Sequence, residues 1–122
     1  MMLVDTSVWI DHLNGSDPHM AELLARGAVL MHPFVLGEIA LGKLRKRKPL
    51  LKILMQLDTA TVATEMDIIS AINTFSLDGT GIGYVDVHLL LSAKLDNVKF
   101  WTRDKRLAAQ AARLGVDYRA MQ

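Results

Sequence analysis

The sequence predicts an α/β fold with a central parallel β-sheet flanked by α-helices. Short apolar runs alternate with helical segments from one end to the other, the order that lays down parallel strands with helices on both sheet faces. At 122 residues, 51% of them hydrophobic, the chain has the length of one domain, residues 1–122, and enough apolar surface for a core without a metal or disulfide staple. It has no Cys, which excludes a disulfide framework, a thiolate zinc site and a cysteine nucleophile.

Met2–Val4 is an apolar run that reads as a buried strand. Asp5-Thr6-Ser7 supplies a cap for a helix carrying Val8, Trp9, Ile10 and Leu13. Asn14-Gly15-Ser16-Asp17 turns the chain, and Pro18 stands in the first turn of the next helix, where proline is tolerated. Met20, Leu23 and Leu24 form that helix's apolar face, and Gly27 stops it. Residues 28–31 read as a second strand, and a helix over residues 34–44 follows His32-Pro33. Residues 48–57 read as a helix begun through Pro49, residues 58–64 as a short β-branched strand, and residues 66–75 as a helix. Residues 78–83 are a glycine-rich loop before a strongly apolar helix, Tyr84–Leu95. The chain closes with a strand over residues 98–102, a helix over 104–114 stopped by Gly115, and a last strand over 116–118.

Charge is nearly balanced, with 14 basic and 13 acidic residues, but it is segregated. Residues 1–42 carry Arg26 against Asp5, Asp11, Asp17, Glu22 and Glu38. Residues 43–52 carry Lys43, Arg45, Lys46, Arg47, Lys48 and Lys52 and no acid. The acids return without Lys or Arg in residues 53–93, and bases dominate residues 94–122. Such segregation suits an anionic partner at the basic stretches and a cation at the acidic ones. No apolar run reaches the length of a membrane span. The opening residues lack the basic leader of a signal peptide, so the expected location is the cytoplasm.

Four carboxylates stand out. Asp5 closes the first strand and Asp104 follows the strand over 98–102, so both fall on the sheet edge where open parallel sheets bind ligands. Each also suits a helix N-cap. Glu38 has Phe34, Val35, Leu41 and Gly42 as helical neighbours, a charge amid an apolar stripe. Asp86 lies in the first turn of its helix, where the dipole favours an acid, yet it shares a face with Leu89, Leu90 and Ala93. If the four converge, carboxylates about 4 Å apart repel by about 4 kcal/mol at an effective dielectric near 20 and need protons or a cation. Without Cys or a His-x-x-x-His helix, a hard, oxygen-liganded Mg²⁺ or Mn²⁺ fits better than zinc.

At these same residues the sequence resembles the PIN-domain family and, within it, the VapC-type ribonuclease toxins. Leu3-Val4-Asp5-Thr6-Ser7-Val8-Trp9-Ile10-Asp11 is similar to the family's opening strand and first acid, and Gly37-Glu38-Ile39-Ala40-Leu41-Gly42 to its second. Gly81-Ile82-Gly83-Tyr84-Val85-Asp86 resembles the third acid's motif, and Trp101-Thr102-Arg103-Asp104-Lys105-Arg106-Leu107 the fourth. The four motifs come in order. The resemblance implies a PIN-like fold, Mg²⁺- or Mn²⁺-dependent RNA cleavage with Asp5, Glu38, Asp86 and Asp104 as catalytic and metal-holding acids, and hydroxyls beside them from Thr6 and Thr102. It also implies a homodimer neutralised by a VapB-type antitoxin, which would present a basic residue to the acidic site.

The remaining features read more plainly. The 79–83 loop lacks the Gly-Lys-Ser/Thr ending of a P-loop. His12, His19, His32 and His88 show no metal-ligand spacing. Met20, Met31, Met55 and Met66 read as core filler, and Trp9 and Trp101 as packing residues. Arg45, Lys46, Arg47 and Lys48 read as an RNA-binding stretch close to Glu38. Two other classes stay open: a non-catalytic α/β module whose acids only cap helices, and a PIN nuclease of RNA maturation.

Overall fold

The computed structural model describes residues 1–118. The last four residues of the expected domain, including Arg119 of its basic final segment, lie outside the described residues. The sheet is parallel, with β1 (Met2–Val4) between β2 (Val29–Leu30) and β3 (Lys99–Trp101). Met2 pairs with Val29 and Lys99, and Leu3 with Leu30 and Phe100. Leu3 and Val4 are buried completely, as a strand covered on both faces requires. Seven helices surround the sheet among the described residues: α1 (Thr6–Gly15), α2 (Pro18–Ala25), α3 (Pro33–Leu41), α4 (Arg47–Leu54), α5 (Glu65–Thr74), α6 (Tyr84–Leu95) and α7 (Lys105–Arg113).

The chain leaves β1 for β2 on one side and reaches β3 on the other. The carboxyl ends of β1 and β3 therefore flank a switch point, where parallel sheets leave a crevice. Asp5 and Asp104 follow those two strand ends, and Asp5, His32 and Asp104 are the N-caps of α1, α3 and α7.

Four expectations change. The strand expected over 58–64 shrinks to one parallel bridge, Met31 to Thr59. Its polar groups are taken by α6 and the residue after it: Ser92 Oγ donates to the Thr61 carbonyl at 2.6 Å, and the Asp96 carboxylate accepts from the Thr61 N–H at 2.7 Å. The strand over 116–118 is likewise a single bridge, Phe100 to Asp117. Helix α3 stops at Leu41 instead of residue 44, because Gly42 turns extended with ψ 172°. Met20 and Met31 are core residues, but Met55 and Met66 are exposed, so only half of the methionine expectation holds. Trp9 and Trp101 are buried packing residues as read from sequence.

The core contains a polar feature that spacing concealed. His32 is fully buried and His88 nearly so, with ring centroids 6.4 Å apart. The rings of Phe34 and Tyr84 pack edge-on against His88. His32 Nδ1 accepts the Phe34 N–H at 3.0 Å and so caps α3. His32 Nε2 and His88 Nδ1 find no partner among the described residues. Burial, then the neighbouring His88, pushes His32 down to about 4, and burial lowers His88 as well. A base with a lowered folded pKa binds fewer protons folded than unfolded, so its contribution is complete above the unfolded value near 6.5 and is lost as pH falls towards 4. Urea denaturation should show stability falling between pH 6.5 and 5. His32→Asn keeps a capping acceptor but does not titrate, so it should make that slope shallower; an unchanged slope would place the acid sensitivity elsewhere.

Candidate active site

Asp5 is built into the sheet edge. Its N–H donates to the Trp101 carbonyl at 2.9 Å, continuing the β1–β3 ladder by one residue. Its extended backbone, ψ 155°, then starts α1, and Oδ1 accepts the Thr6 N–H at 2.8 Å. Oδ2 accepts two hydroxyls, Ser7 Oγ at 3.0 Å and Thr102 Oγ1 at 2.7 Å. The residue is only 8% exposed, so these donors hold a nearly immobile carboxylate.

The neighbouring groups hang from this one. Thr102 Oγ1 also accepts the Asp104 N–H at 3.1 Å, while Asp104 Oδ1 caps α7 through the Leu107 N–H at 3.0 Å. Thr6 Oγ1 donates to Glu38 Oε1 at 3.0 Å, tying α1 to α3. Asp86 Oδ2 accepts the Gly83 N–H at 2.9 Å and closes the first turn of α6. Asp86 is half-buried, and its carboxyl is pushed up chiefly by burial; the Gly83 hydrogen bond opposes this, and the charges of Asp5 and Asp104 add to it. No cation is among the groups that move it.

The four sequence-selected acids therefore share one edge, but Glu38 arrives differently than expected. Val35 and Ile39 are the buried residues of α3, and Leu41 is 90% exposed. An apolar sequence surrounds Glu38 without burying it; the side chain is exposed and held by Thr6. Ser7 and Arg103 were not singled out from sequence. Arg103 pairs with Asp11 and Asp17, both at 2.6 Å, lies against the Trp101 ring, and donates its N–H to Ser7 Oγ. Asp17 is held below the usual carboxylate range, first by the Met20 N–H, with Arg103 assisting. The Asp5-Thr6-Ser7 run hinted at Ser7; Arg103 joins residues too far apart in sequence to be foreseen.

The basic stretch occupies the loop after α3 and the first turn of α4, and Lys43 and Arg45 border Leu13 and Asn14 at the far end of α1. Arg47 donates to the Ala40 carbonyl at 3.1 Å. Lys46 is left-handed, φ 53°, and gives α4 no side-chain cap.

Among the described residues no three acidic or imidazole groups form a ready coordination shell. The donors on this edge still suit a hard cation: carboxylate and hydroxyl oxygens, no sulfur, and mutual repulsion that a cation relieves. Mg²⁺ typically takes one or two carboxylates and keeps waters, so a closed protein cage is not needed.

A family model described as the PIN domain matches residues 2–113. The chain belongs to the PIN-domain family. Its relatives include the protein named Ribonuclease VapC32 from two strains of Mycobacterium tuberculosis, CDC 1551 / Oshkosh and ATCC 25618 / H37Rv. Each is 42% identical over 117 residues, covering 95% of this chain and 94% of the relative. This places the chain among VapC-type PIN domains. The crystal structure of PAE2754 from Pyrobaculum aerophilum superposes with a TM-score of 0.64 at 15% identity, over 89% of this chain and 83% of that one, a likeness of fold.

The raised carboxyl of Asp86 has a thermodynamic consequence. A folded pKa above the unfolded one favours folding below the unfolded value, and that benefit is lost as pH rises through the folded value. Near neutral pH the ionised Asp86 carboxylate is therefore destabilised, chiefly by burial and further by the charges of Asp5 and Asp104. Asp86→Asn keeps an acceptor for the Gly83 N–H and removes the charge, so it should raise the melting temperature by a few degrees at pH 7 and by less at pH 3.5. A lower melting temperature at pH 7 would contradict this destabilisation.

Proposed function

We propose that this chain is a Mg²⁺- or Mn²⁺-dependent endoribonuclease, the toxin of a VapBC-type pair, working as a cytoplasmic homodimer. The observation that carries this reading is the shared edge of Asp5, Glu38, Asp86 and Asp104, where the Asp86 carboxyl is raised first by burial and then by the charges of Asp5 and Asp104, with no cation opposing them. The relatives named as VapC ribonucleases support the same reading. No helix among the described residues is long and apolar enough to cross a membrane.

In this reading the four acids hold one or two metal ions, directly or through waters. A metal held there would supply an activated water for attack on the scissile phosphate and charge stabilisation at the leaving 3′ oxygen. Asp5 contributes a fixed charge, because Thr6, Ser7 and Thr102 lock its carboxylate. Thr102 sets Asp104 by accepting its N–H, and Thr6 aims Glu38. The second oxygen of Glu38 has no partner among the described residues, so Glu38 is placed to orient a water. Arg45, Lys46, Arg47 and Lys48 bind the RNA backbone on the segment that follows α3. There α4 begins with cations and no acidic residue or side-chain cap, an arrangement that phosphate would relieve. The VapB-type antitoxin would close the edge with an Arg, whose planar fork can take two carboxylate oxygens at once.

One observation favours the non-catalytic alternative: Asp5 and Asp104 are true N-caps and Asp86 accepts the N–H of the N-cap residue Gly83. Asn caps helices as well as Asp does, so Asp-to-Asn variants separate the two roles. Cleavage of single-stranded RNA should vanish in EDTA and return with Mn²⁺, and Asp5→Asn should lower it at least ~100-fold while keeping the fold; loss of even a group behind a metal ligand can cost that much. Growth arrest on expression should follow the same pattern and be rescued by an adjacent-encoded antitoxin. Full cleavage in EDTA would contradict the metal mechanism, and harmless expression of an active nuclease would move the protein to RNA maturation.

A further inference from the structure

Arg106 is the second residue of α7, two positions after Asp104, and it is exposed. Its side chain runs back over the 79–83 loop. A Cβ built on Gly81 would stand 3.1 Å from Arg106 Cδ, 3.1 Å from Nη1 and 3.6 Å from Cζ. The guanidinium thus lies on the bare backbone of Gly81, whose φ of +87° also favours glycine. Two residues on, the Gly83 N–H holds Asp86. Arg106 therefore bridges the segments that carry the third and fourth acids.

Four of the other five described arginines are committed, and the fifth, Arg45, belongs to the basic stretch before α4. Arg26 pairs with Glu22, Arg103 with Asp11 and Asp17, Arg47 with a backbone carbonyl, and Arg113 with Gln110 and the Ser76 carbonyl. Arg106 makes no hydrogen bond or ion pair among the described residues, although Asp78, Asp86 and Asp104 sit on the adjoining loop and helices. Neither is it among the groups that shift Asp86. It is a cation at the rim of the acidic edge, not spent on the acids. A phosphodiester approaching that edge is repelled by the carboxylates, and a free guanidinium offers it a planar two-pronged donor.

We propose that Arg106, seated on Gly81, binds the phosphate oxygens of an RNA substrate at the rim of the acidic edge, as a substrate-positioning contact distinct from the stretch Arg45 to Lys48. This rests on the nuclease reading and adds one substrate contact to it. Binding of a fluorescent single-stranded RNA is measured against salt in the non-cleaving Asp5→Asn background, with and without Arg106→Gln. The slope of log affinity against log salt should shrink by about 0.7 when Arg106 is removed, one phosphate contact on a single strand. In the cleaving background Arg106→Gln should lower kcat/KM by ~10- to 100-fold, leave Mn²⁺ affinity and melting temperature unchanged, and be only partly rescued by Arg106→Lys, which keeps the charge and loses the fork. Gly81→Ala should reproduce the loss of slope, and the double variant should be no worse than Arg106→Gln alone. An unchanged slope would overturn the assignment, and so would a loss of Mn²⁺ binding in Arg106→Gln. Wild type that cuts no RNA would count against the nuclease reading, while the binding experiment would still decide the role of Arg106.

Discussion

The carboxylate of Asp5 is the point from which the acidic edge is built. One residue extends the central strand, begins α1, and accepts the hydroxyls of Ser7 and Thr102 from two separate segments. Thr102 passes the arrangement to Asp104, and Thr6, next along the chain, passes it to Glu38. A charge almost excluded from water tolerates this place because polar hydrogens point at it. The same bonds leave it little freedom, which is what a preorganised ionic site requires.

Helix capping and metal chemistry do not compete here. A parallel sheet brings strand ends and helix starts to one edge, and the exposed N–H groups of helix starts favour acids. Asp5 and Asp104 satisfy those groups through one oxygen each. Asp86 does the same for Gly83 but with company: its burial and the charges of Asp5 and Asp104 all act against ionisation. A cation bound beside Asp86 would offset both its burial and the neighbouring charges. Arg106, without a hydrogen bond or ion pair among the described residues, sets a cation at the rim of an edge that would otherwise repel an anion.

Much of this was legible in the residues. The helix Tyr84–Leu95 begins and ends where its apolar run and Gly83 place it, and β1 follows directly from Met2–Val4. All four acids were visible as charges at strand ends or among apolar neighbours. What spacing could not show was which side of α3 faces inward; an almost uniformly apolar helix has no preferred face, so the sequence shows Glu38 only as a charge amid an apolar stripe. The strand over 58–64 was lost to Ser92 and Asp96, more than thirty residues away, and the His32–His88 pair and the Arg103 clamp arise from contacts just as distant. Local pattern specifies the elements, and long-range hydrogen bonding decides how they are spent.

The central claim is that the gathered carboxylates form a cation site and not merely a set of helix caps. Calorimetric titration of Mn²⁺ into the wild type and into Asp5→Asn, each shown to be folded by its melting curve, tests it most directly. The account predicts saturable binding to the wild type and its loss in Asp5→Asn at an unchanged fold. Equal binding by both proteins, or binding by neither, would contradict it.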